Sequence, residues 1–123
     1  AREPLIIREP GSGIRDATLK AYETIGQRPN IRMELGSNEA IKHAVVGGLG
    51  LSVLSLHTLA LEGSDGPLAI LDVEGFPIWR QWYLVHPKDK VLSTVAQTFL
   101  QFAIEYEPKI RQRMVQTWPD LKI

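Results

Sequence analysis

Over its first 56 residues the chain alternates between two hydrophobic patterns, one typical of strands and one typical of helices. Short apolar or alternating runs predict strands at residues 5–7, 31–35 and 51–56. Between them, apolar residues recur every three or four positions, which predicts helices over 14–25 and 38–49. Strands joined by single helices form a parallel sheet. Because the third run is almost continuously apolar, we expect a strand buried on both faces there.

The middle of the chain predicts further short elements. A short helix is expected over 57–62, before a flexible loop at 63–67 that is rich in glycine and serine. Two apolar segments, 68–73 and 78–85, are candidate strands. The second contains Trp79, Trp82 and Tyr83, and aromatic residues placed in this way usually pack in a core or an interface.

The clearest helical periodicity begins at Leu92. Apolar residues follow it at every third or fourth position as far as Ile104, which predicts an amphipathic helix. Pro108 is expected to end that helix, because proline lacks the N–H group that an interior helical position donates. The residues beyond it predict either a weak helix or a frayed tail.

Polar turns follow the first two predicted strands, and each turn opens a helix. At a helix start the unbonded N–H groups and the positive end of the dipole attract anions. Because parallel strands point their carboxyl ends to the same edge, we expect both turns to share one rim of the sheet. This predicts a site for a carboxylate or phosphate, with these candidate anion-binding residues: Ser12, Gly13, Arg15, Gly36, Ser37 and Asn38. The alternative is that both are ordinary capped turns, with Ser12 as a simple N-cap.

Composition and motifs argue against most other chemistries. Fourteen basic and fourteen acidic side chains cancel, so the chain lacks the basic excess of a nucleic-acid or membrane-surface binder. There is no cysteine, which excludes disulfides and thiolate metal sites and fits a reducing cytoplasm. His43, His57 and His86 are too far apart for a metal motif and are expected in surface or loop positions. The chain has no complete nucleophile elbow and no phosphate loop. We therefore predict a binding protein with no catalytic residue, metal or cofactor.

Three stretches together resemble a known family. REPGSGIRD, RMELGSNEAIKHAVVGGLGLSVLSLHTLALE and LAILDVEGFPIWRQWYLVHPKDKVLSTVAQTFLQF are similar to the effector-binding domain of LysR-type transcriptional regulators. The resemblance is strongest to the branch that controls carbon-fixation (RuBisCO) operons, and it covers roughly residues 4–105. It implies one α/β lobe of a type 2 periplasmic-binding-protein-like domain, with a mostly parallel sheet flanked by helices, plus a return segment. Residues 1–86 would be the second lobe, and residues 87–123 a C-terminal helix and tail returning toward a first lobe.

The resemblance also implies a function. An effector would lie in the cleft between two lobes, with the turns named above facing it. The effector would be a small anionic metabolite such as ribulose bisphosphate, phosphoglycolate or NADPH, and the protein a cytoplasmic homodimer or tetramer, without a membrane. DNA would be bound only through an N-terminal domain that this sequence lacks, so we expect a piece of a longer protein. A lobe of a solute-binding protein for transport is the main alternative, and an enzyme of related architecture ranks third.

Two positions depart from the family pattern. Ile14 stands where threonine is usual before the arginine, so a hydroxyl group that would contact the ligand or cap the helix is absent. Ser55 stands where proline is common at the end of the buried strand. We expect the first departure to affect how the turn binds phosphate, and the second to affect only local geometry.

Overall fold

The apolar run near the start of the chain forms the middle strand of a parallel sheet. The computed structural model describes residues 2–60, 62 and 65–119. In it, strand β1 (Pro4–Arg8) lies between β2 (Asn30–Leu35) and β3 (Leu51–Ser52), and both neighbours run parallel to it. The three apolar side chains of β1 are buried and form half of the hydrophobic core of the described residues: Leu5, Ile6 and Ile7. The predicted α/β class with a parallel sheet flanked by helices is confirmed.

Two helices alternate with these strands. Helix α1 (Gly13–Thr24) follows β1, and α2 (Asn38–Val46) follows β2. The chain leaves α1 through Gly26, whose φ of 64° lies in the left-handed region that glycine adopts easily. The buried anchor of α2 is Ile41, and no part of its side chain is exposed. Both helices begin directly after a polar turn, as the hydrophobic periodicity predicted.

Strand β3 is much shorter than predicted, and it is not buried on both faces. Only Leu51 and Ser52 pair with β1, and Leu51 is 41% exposed. At the strand entry a Cβ on Gly50 would lie 2.5 Å from the carbonyl oxygen of Pro4, so the backbones approach closely only because this residue is glycine. The Ser52 hydroxyl donates to the carbonyl oxygen of Ile6 at 2.8 Å. Apolar composition predicted a long strand, but a strand extends only as far as its backbone pairs with a neighbour.

The segment after β3 is tied to α2 by a buried lysine. A short 3₁₀ helix, Leu56–Leu59, replaces the predicted helix over 57–62. Lys42 donates to the carbonyl oxygen of Thr58 at 3.1 Å and forms ion pairs with Glu39 at 2.7 Å and Glu62 at 2.5 Å. Hydrogen bonds to Glu39 and Glu62 raise the pKa of Lys42, and the bond from Lys42 lowers the pKa of Glu62. Part of the predicted loop, residues 63 and 64, lies outside the described residues.

The two strands predicted at 68–73 and 78–85 are absent from the described part of the chain. Instead, these residues form an irregular segment with a turn in which the Phe76 N–H donates to the carbonyl oxygen of Val73 at 3.0 Å. Trp79 and Tyr83 are exposed and Trp82 is 87% exposed, so they are not part of the core of this chain. The aromatic and β-branched composition favoured strands, but no neighbouring backbone pairs with the segment.

The C-terminal helix is longer than predicted. Helix α3 (Thr94–Thr117) is capped by Ser93, whose hydroxyl accepts from the Ala96 N–H at 3.3 Å, and it continues through Pro108. Arg111 pairs with Glu107 across the proline at 2.8 Å, and Phe102 stacks on Tyr106 in the turn before it, with ring centroids 5.2 Å apart. Proline disfavours a helix interior without forbidding it, and these i,i+4 contacts support the helix beside it.

Contacts divide the chain into two units, Ala1–Ile78 and Trp79–Ile123. The first unit contains the sheet, α1 and α2. The second contains α3, in which Met114 is buried, and Trp118, the buried residue that follows the helix. Within the described residues, no helix is both long and apolar enough to cross a bilayer.

Candidate functional site

The structure brings the two polar turns to one edge of the sheet. Arg8 at the end of β1 is aligned with Leu35 at the end of β2, so the turns that follow these strands are neighbours. All six predicted site residues lie in these turns or in the first turn of the helices that they open. We call this edge the rim, defined by residues 8–15 and 34–38.

Arg8 links the two turns directly. Its Nη1 donates to Asn38 Oδ1 at 2.6 Å, and its Nε and Nη2 donate to the two carboxylate oxygens of Glu9 at 2.7 and 2.9 Å. The side chain is 18% exposed, so the guanidinium is largely shielded from water. The hydrogen bonds from Arg8 lower the pKa of Glu9 to about 2 and the same contact raises the pKa of Arg8.

Arg15 is held by the sheet as well. Its Nη1 donates to the carbonyl oxygen of Arg8 at 2.8 Å and pairs with Glu34 at 2.7 Å. Each of the two rim arginines is thus already paired with a carboxylate, Arg8 with Glu9 and Arg15 with Glu34. An arriving anion meets a rim whose positive charges are balanced by negative ones, so free hydrogen-bond donors matter more than net charge.

The two rim serines differ in what their hydroxyl groups do. Ser37 is the N-cap of α2, and its Oγ accepts from the Ala40 N–H at 3.1 Å. Ser12 occupies the N-cap position of α1 but makes no side-chain capping bond. Among the described residues, no protein group bonds to the Ser12 hydroxyl, and none accepts from the N–H groups of residues 13–15. The start of α1 therefore offers uncommitted donors to a ligand.

The rim glycines also differ. Gly11 has a φ of 88°, which requires glycine for the backbone itself. Gly36 has no positive φ, and a Cβ built on it would meet nothing within 4 Å. The fold of this unit therefore does not require glycine at position 36, and the space beside it is open on the rim.

Sequence reasoning missed Arg8, Glu9 and Glu34 as parts of this site. The hydrophobic pattern places Arg8 and Glu9 just after the first predicted strand and Glu34 at a polar position of the second, with no further role. The available signal was their location: the last residues of parallel strands lie at the ligand edge of such sheets. Two shallow depressions lie elsewhere in the described residues, one along the outer face of α1 and one on α3, and neither is lined by both turns.

The histidines take no part in the rim. His43, His57 and His86 are all exposed, which confirms their predicted surface positions. In the described part of the chain, no three acidic or histidine side chains are grouped as metal ligands.

Comparison with known proteins links this fold to regulators. The family model described as the LysR substrate binding domain matches residues 1–107 of this sequence. The chain is 54% identical over 108 residues to the HTH-type transcriptional activator CmpR of Synechocystis sp., which covers 88% of this chain and 36% of that protein. It is 50% identical over 99 residues to a RuBisCO operon transcriptional regulator of Acidithiobacillus ferrooxidans, covering 80% of this chain and 32% of the relative. The chain thus spans about a third of the length of these relatives.

A solved structure is also similar. The regulatory domain of CcmR from Synechocystis PCC6803, determined in complex with 2-PG, matches with a TM-score of 0.77 and 44% identity. The match covers 94% of this chain and 50% of that chain.

Proposed function

This chain belongs to the family of LysR substrate-binding domains, and we propose that it is the effector-sensing part of a LysR-type transcriptional regulator of carbon fixation. The resemblance noted in the sequence is thereby confirmed. The names of the relatives favour a regulator over a transport lobe or an enzyme. DNA binding, assembly into a dimer or tetramer and a cytoplasmic location belong to the proposed whole protein.

The ligand we propose is a small phosphorylated metabolite, with 2-phosphoglycolate as the first candidate. The observation that carries this proposal is the complex of the similar CcmR regulatory domain with 2-PG. Ribulose bisphosphate and NADPH are the other candidates, because each also presents a phosphate group to such a rim.

The rim supplies suitable donors for a phosphate. The Ser12 hydroxyl and the N–H groups of residues 13–15 are uncommitted and lie at the positive end of the α1 dipole. The amide of Asn38 adds a donor from the other turn. The open space beside Gly36 leaves room for the ligand to approach the backbone. Ile14, in place of the usual threonine, removes one hydroxyl group, so Ser12 becomes the main hydroxyl donor of its turn.

The second part of the proposal concerns the lobes. We propose that residues 1–86 form the second lobe and that residues 87–123 return to a first lobe, with the effector between the two. The match to only half of the CcmR chain supports this arrangement. Exposed apolar side chains in the irregular segment before residue 86 and in α3 also support it, because they need a covering partner: Trp82, Val85, Val95 and Phe99. Effector binding would then favour one arrangement of the lobes and so change the state of the DNA-binding domains.

Calorimetric titration tests the ligand. The panel is 2-phosphoglycolate, ribulose bisphosphate, NADPH and inorganic phosphate, added both to this chain and to the intact regulator. We expect saturable binding of a phosphorylated metabolite by the intact protein and weaker binding by this chain, which holds only one side of the cleft. No binding of any of them by the intact protein would refute the proposal.

Variants in the intact regulator locate the site. Ser12→Ala is expected to weaken binding about tenfold, because a hydrogen bond to a charged group is lost. Gly36→Ala is expected to weaken binding by blocking the approach of the ligand, with an unchanged melting temperature. The control is Ser93→Ala, at the cap of α3. Unchanged affinity in both rim variants would remove the rim from the site.

A further inference from the structure

The amide of Asn38 has a fixed orientation. A guanidinium group carries only donors, so the Asn38 atom 2.6 Å from Arg8 Nη1 must be the oxygen. The Nδ2 group therefore faces away from Arg8. Among the described residues no protein acceptor bonds to it. Arg8 thus determines which end of the amide is presented beyond the guanidinium.

Three of the five N–H donors of Arg8 are already engaged. Nε and Nη2 bond to Glu9 in the paired geometry typical of arginine and carboxylate, and Nη1 bonds to Asn38. An effector phosphate that bound Arg8 directly would find only the second N–H of Nη1 and of Nη2, on a guanidinium whose charge is already paired with Glu9. To engage more of it, the phosphate would have to displace Glu9 or Asn38, which replaces one charge-assisted hydrogen bond with another and gains little.

We propose that Arg8 is a positioning residue, which holds the Asn38 amide so that Nδ2 donates to the anionic group of the effector. This inference rests on the proposed function, because it concerns the same site. It divides the rim into two groups: neutral donors that touch the anion, namely the Ser12 hydroxyl, the N–H groups of residues 13–15 and the Asn38 amide, and charged pairs that hold these donors in place.

The division has a consequence for ligand choice. On this side of the cleft the guanidinium groups of Arg8 and Arg15 are already paired with carboxylates, so the neutral donors favour a group whose oxygen atoms all accept. A protonated oxygen would leave one rim donor without an acceptor. Fully ionised groups, such as the dianionic phosphate of 2-phosphoglycolate or a carboxylate, therefore suit this side of the cleft.

A double-mutant cycle tests the positioning role in the intact regulator, with the dissociation constant of 2-phosphoglycolate measured by calorimetry. The variants are Arg8→Met, Asn38→Ala and the double variant, with Arg28→Met as the matched control, in the loop before β2 at the opposite end of that strand. We expect each single rim variant to weaken binding about tenfold and the double variant to bind no more weakly than Asn38→Ala alone.

If the two losses multiply to about a hundredfold, Arg8 contacts the effector itself and the inference is overturned. If the wild-type protein shows no saturable binding, the proposed function itself is refuted, and the inference about Arg8 is refuted with it. Glu9→Gln gives a second measurement that does not depend on the folding of Arg8→Met, because Glu9 lies on the surface of the rim. A positioning Arg8 predicts equal or weaker affinity, because Glu9 helps to hold the guanidinium, whereas an arginine freed to bind phosphate predicts a gain of about tenfold.

Discussion

Ser12 and Ser37 lie at equivalent positions in two similar strand–turn–helix segments, immediately before α1 and α2. Only Ser37 caps its helix with its side chain. The turns themselves, Gly-Ser-Gly and Gly-Ser-Asn, are nearly alike. Before α2 the Ser37 hydroxyl satisfies the Ala40 N–H, a contact within the fold. Before α1 the Ser12 hydroxyl and the N–H groups of residues 13–15 have no protein partner among the described residues.

The strands before the two turns also differ, in how deeply they are buried. β1 is the central strand and its apolar side chains are buried, whereas β2 is an edge strand and Ile31 is exposed. A buried central strand therefore precedes the uncommitted turn of α1. An edge strand precedes the turn of α2, which is fixed by its own cap. Stability and ligand binding are thus separable, since a turn on a buried strand does not need a cap to stay in place.

The largest expected effect tests the two strands. Ile6→Ala should lower the free energy of unfolding by about 3 kcal/mol, because Ile6 is fully buried and the substitution leaves a cavity. Ile31→Ala, the same change on β2, should cost less than about 1 kcal/mol because Ile31 is already partly in water. Urea unfolding followed by circular dichroism measures both. Equal losses would show that the two strands contribute alike.

The next largest effect on the free energy of unfolding is expected at the turn glycines. Gly11→Ala should lower the free energy of unfolding by about 1 kcal/mol, because alanine is strained at a φ of 88°. Gly36→Ala should leave it unchanged or slightly raised, because the position has no positive φ and open space around it. The same unfolding measurement applies. A large loss in Gly36→Ala would contradict the view that this glycine serves the ligand and not the fold.

The serines separate stability from binding. Ser37→Ala removes a capping bond and should cost about 1 kcal/mol of unfolding free energy. Ser12→Ala removes no capping bond and should change stability by less than about 0.5 kcal/mol. If Ser12→Ala proved the more destabilising of the two, its hydroxyl would be serving the fold after all.

The smallest expected effect on stability depends on pH and arises only in the turn after β1. Glu9 has a pKa of about 2 against an ordinary 4.5, because it accepts hydrogen bonds from Arg8. Since the folded value is lower, the contact stabilises the fold above about pH 4.5 and is lost as the pH falls toward 2. Melting temperatures between pH 5 and 2 should therefore fall slightly less steeply in Glu9→Gln than in wild type. The control, Glu23→Gln on the surface of α1, should follow the wild-type curve.

The elements around the rim were predictable because local signals and tertiary structure agree there. Periodicity, turn residues and helix caps located β1, α1, β2 and α2 and placed both turns on one edge. The long-range contacts of the rim could not be derived in the same way. The Arg8–Asn38 contact joins residues thirty positions apart in the sequence, and no local pattern shows which side chain meets which.

The errors lie where pairing or packing decides the structure. Residues 68–73 and 78–85 have strand composition, yet a strand exists only with a neighbour, and composition says nothing about neighbours. Leu51 and Ser52 illustrate the same point, because β3 ends long before its apolar run does. Pro108 failed as a stop signal for another reason: proline disfavours a helix interior without forbidding it, and α3 continues through it with the Glu107–Arg111 ion pair across the site.

The buried Lys42 gives α2 a particular response to heat. Its ion pairs with Glu39 and Glu62 and its bond to Thr58 join the helix to the segment after β3. Hydration of charged groups becomes less favourable as the temperature rises, so the cost of keeping this lysine away from water falls on heating, while the gain from apolar burial levels off. We therefore expect α2 and the 3₁₀ helix to remain joined when neighbouring apolar contacts have begun to loosen.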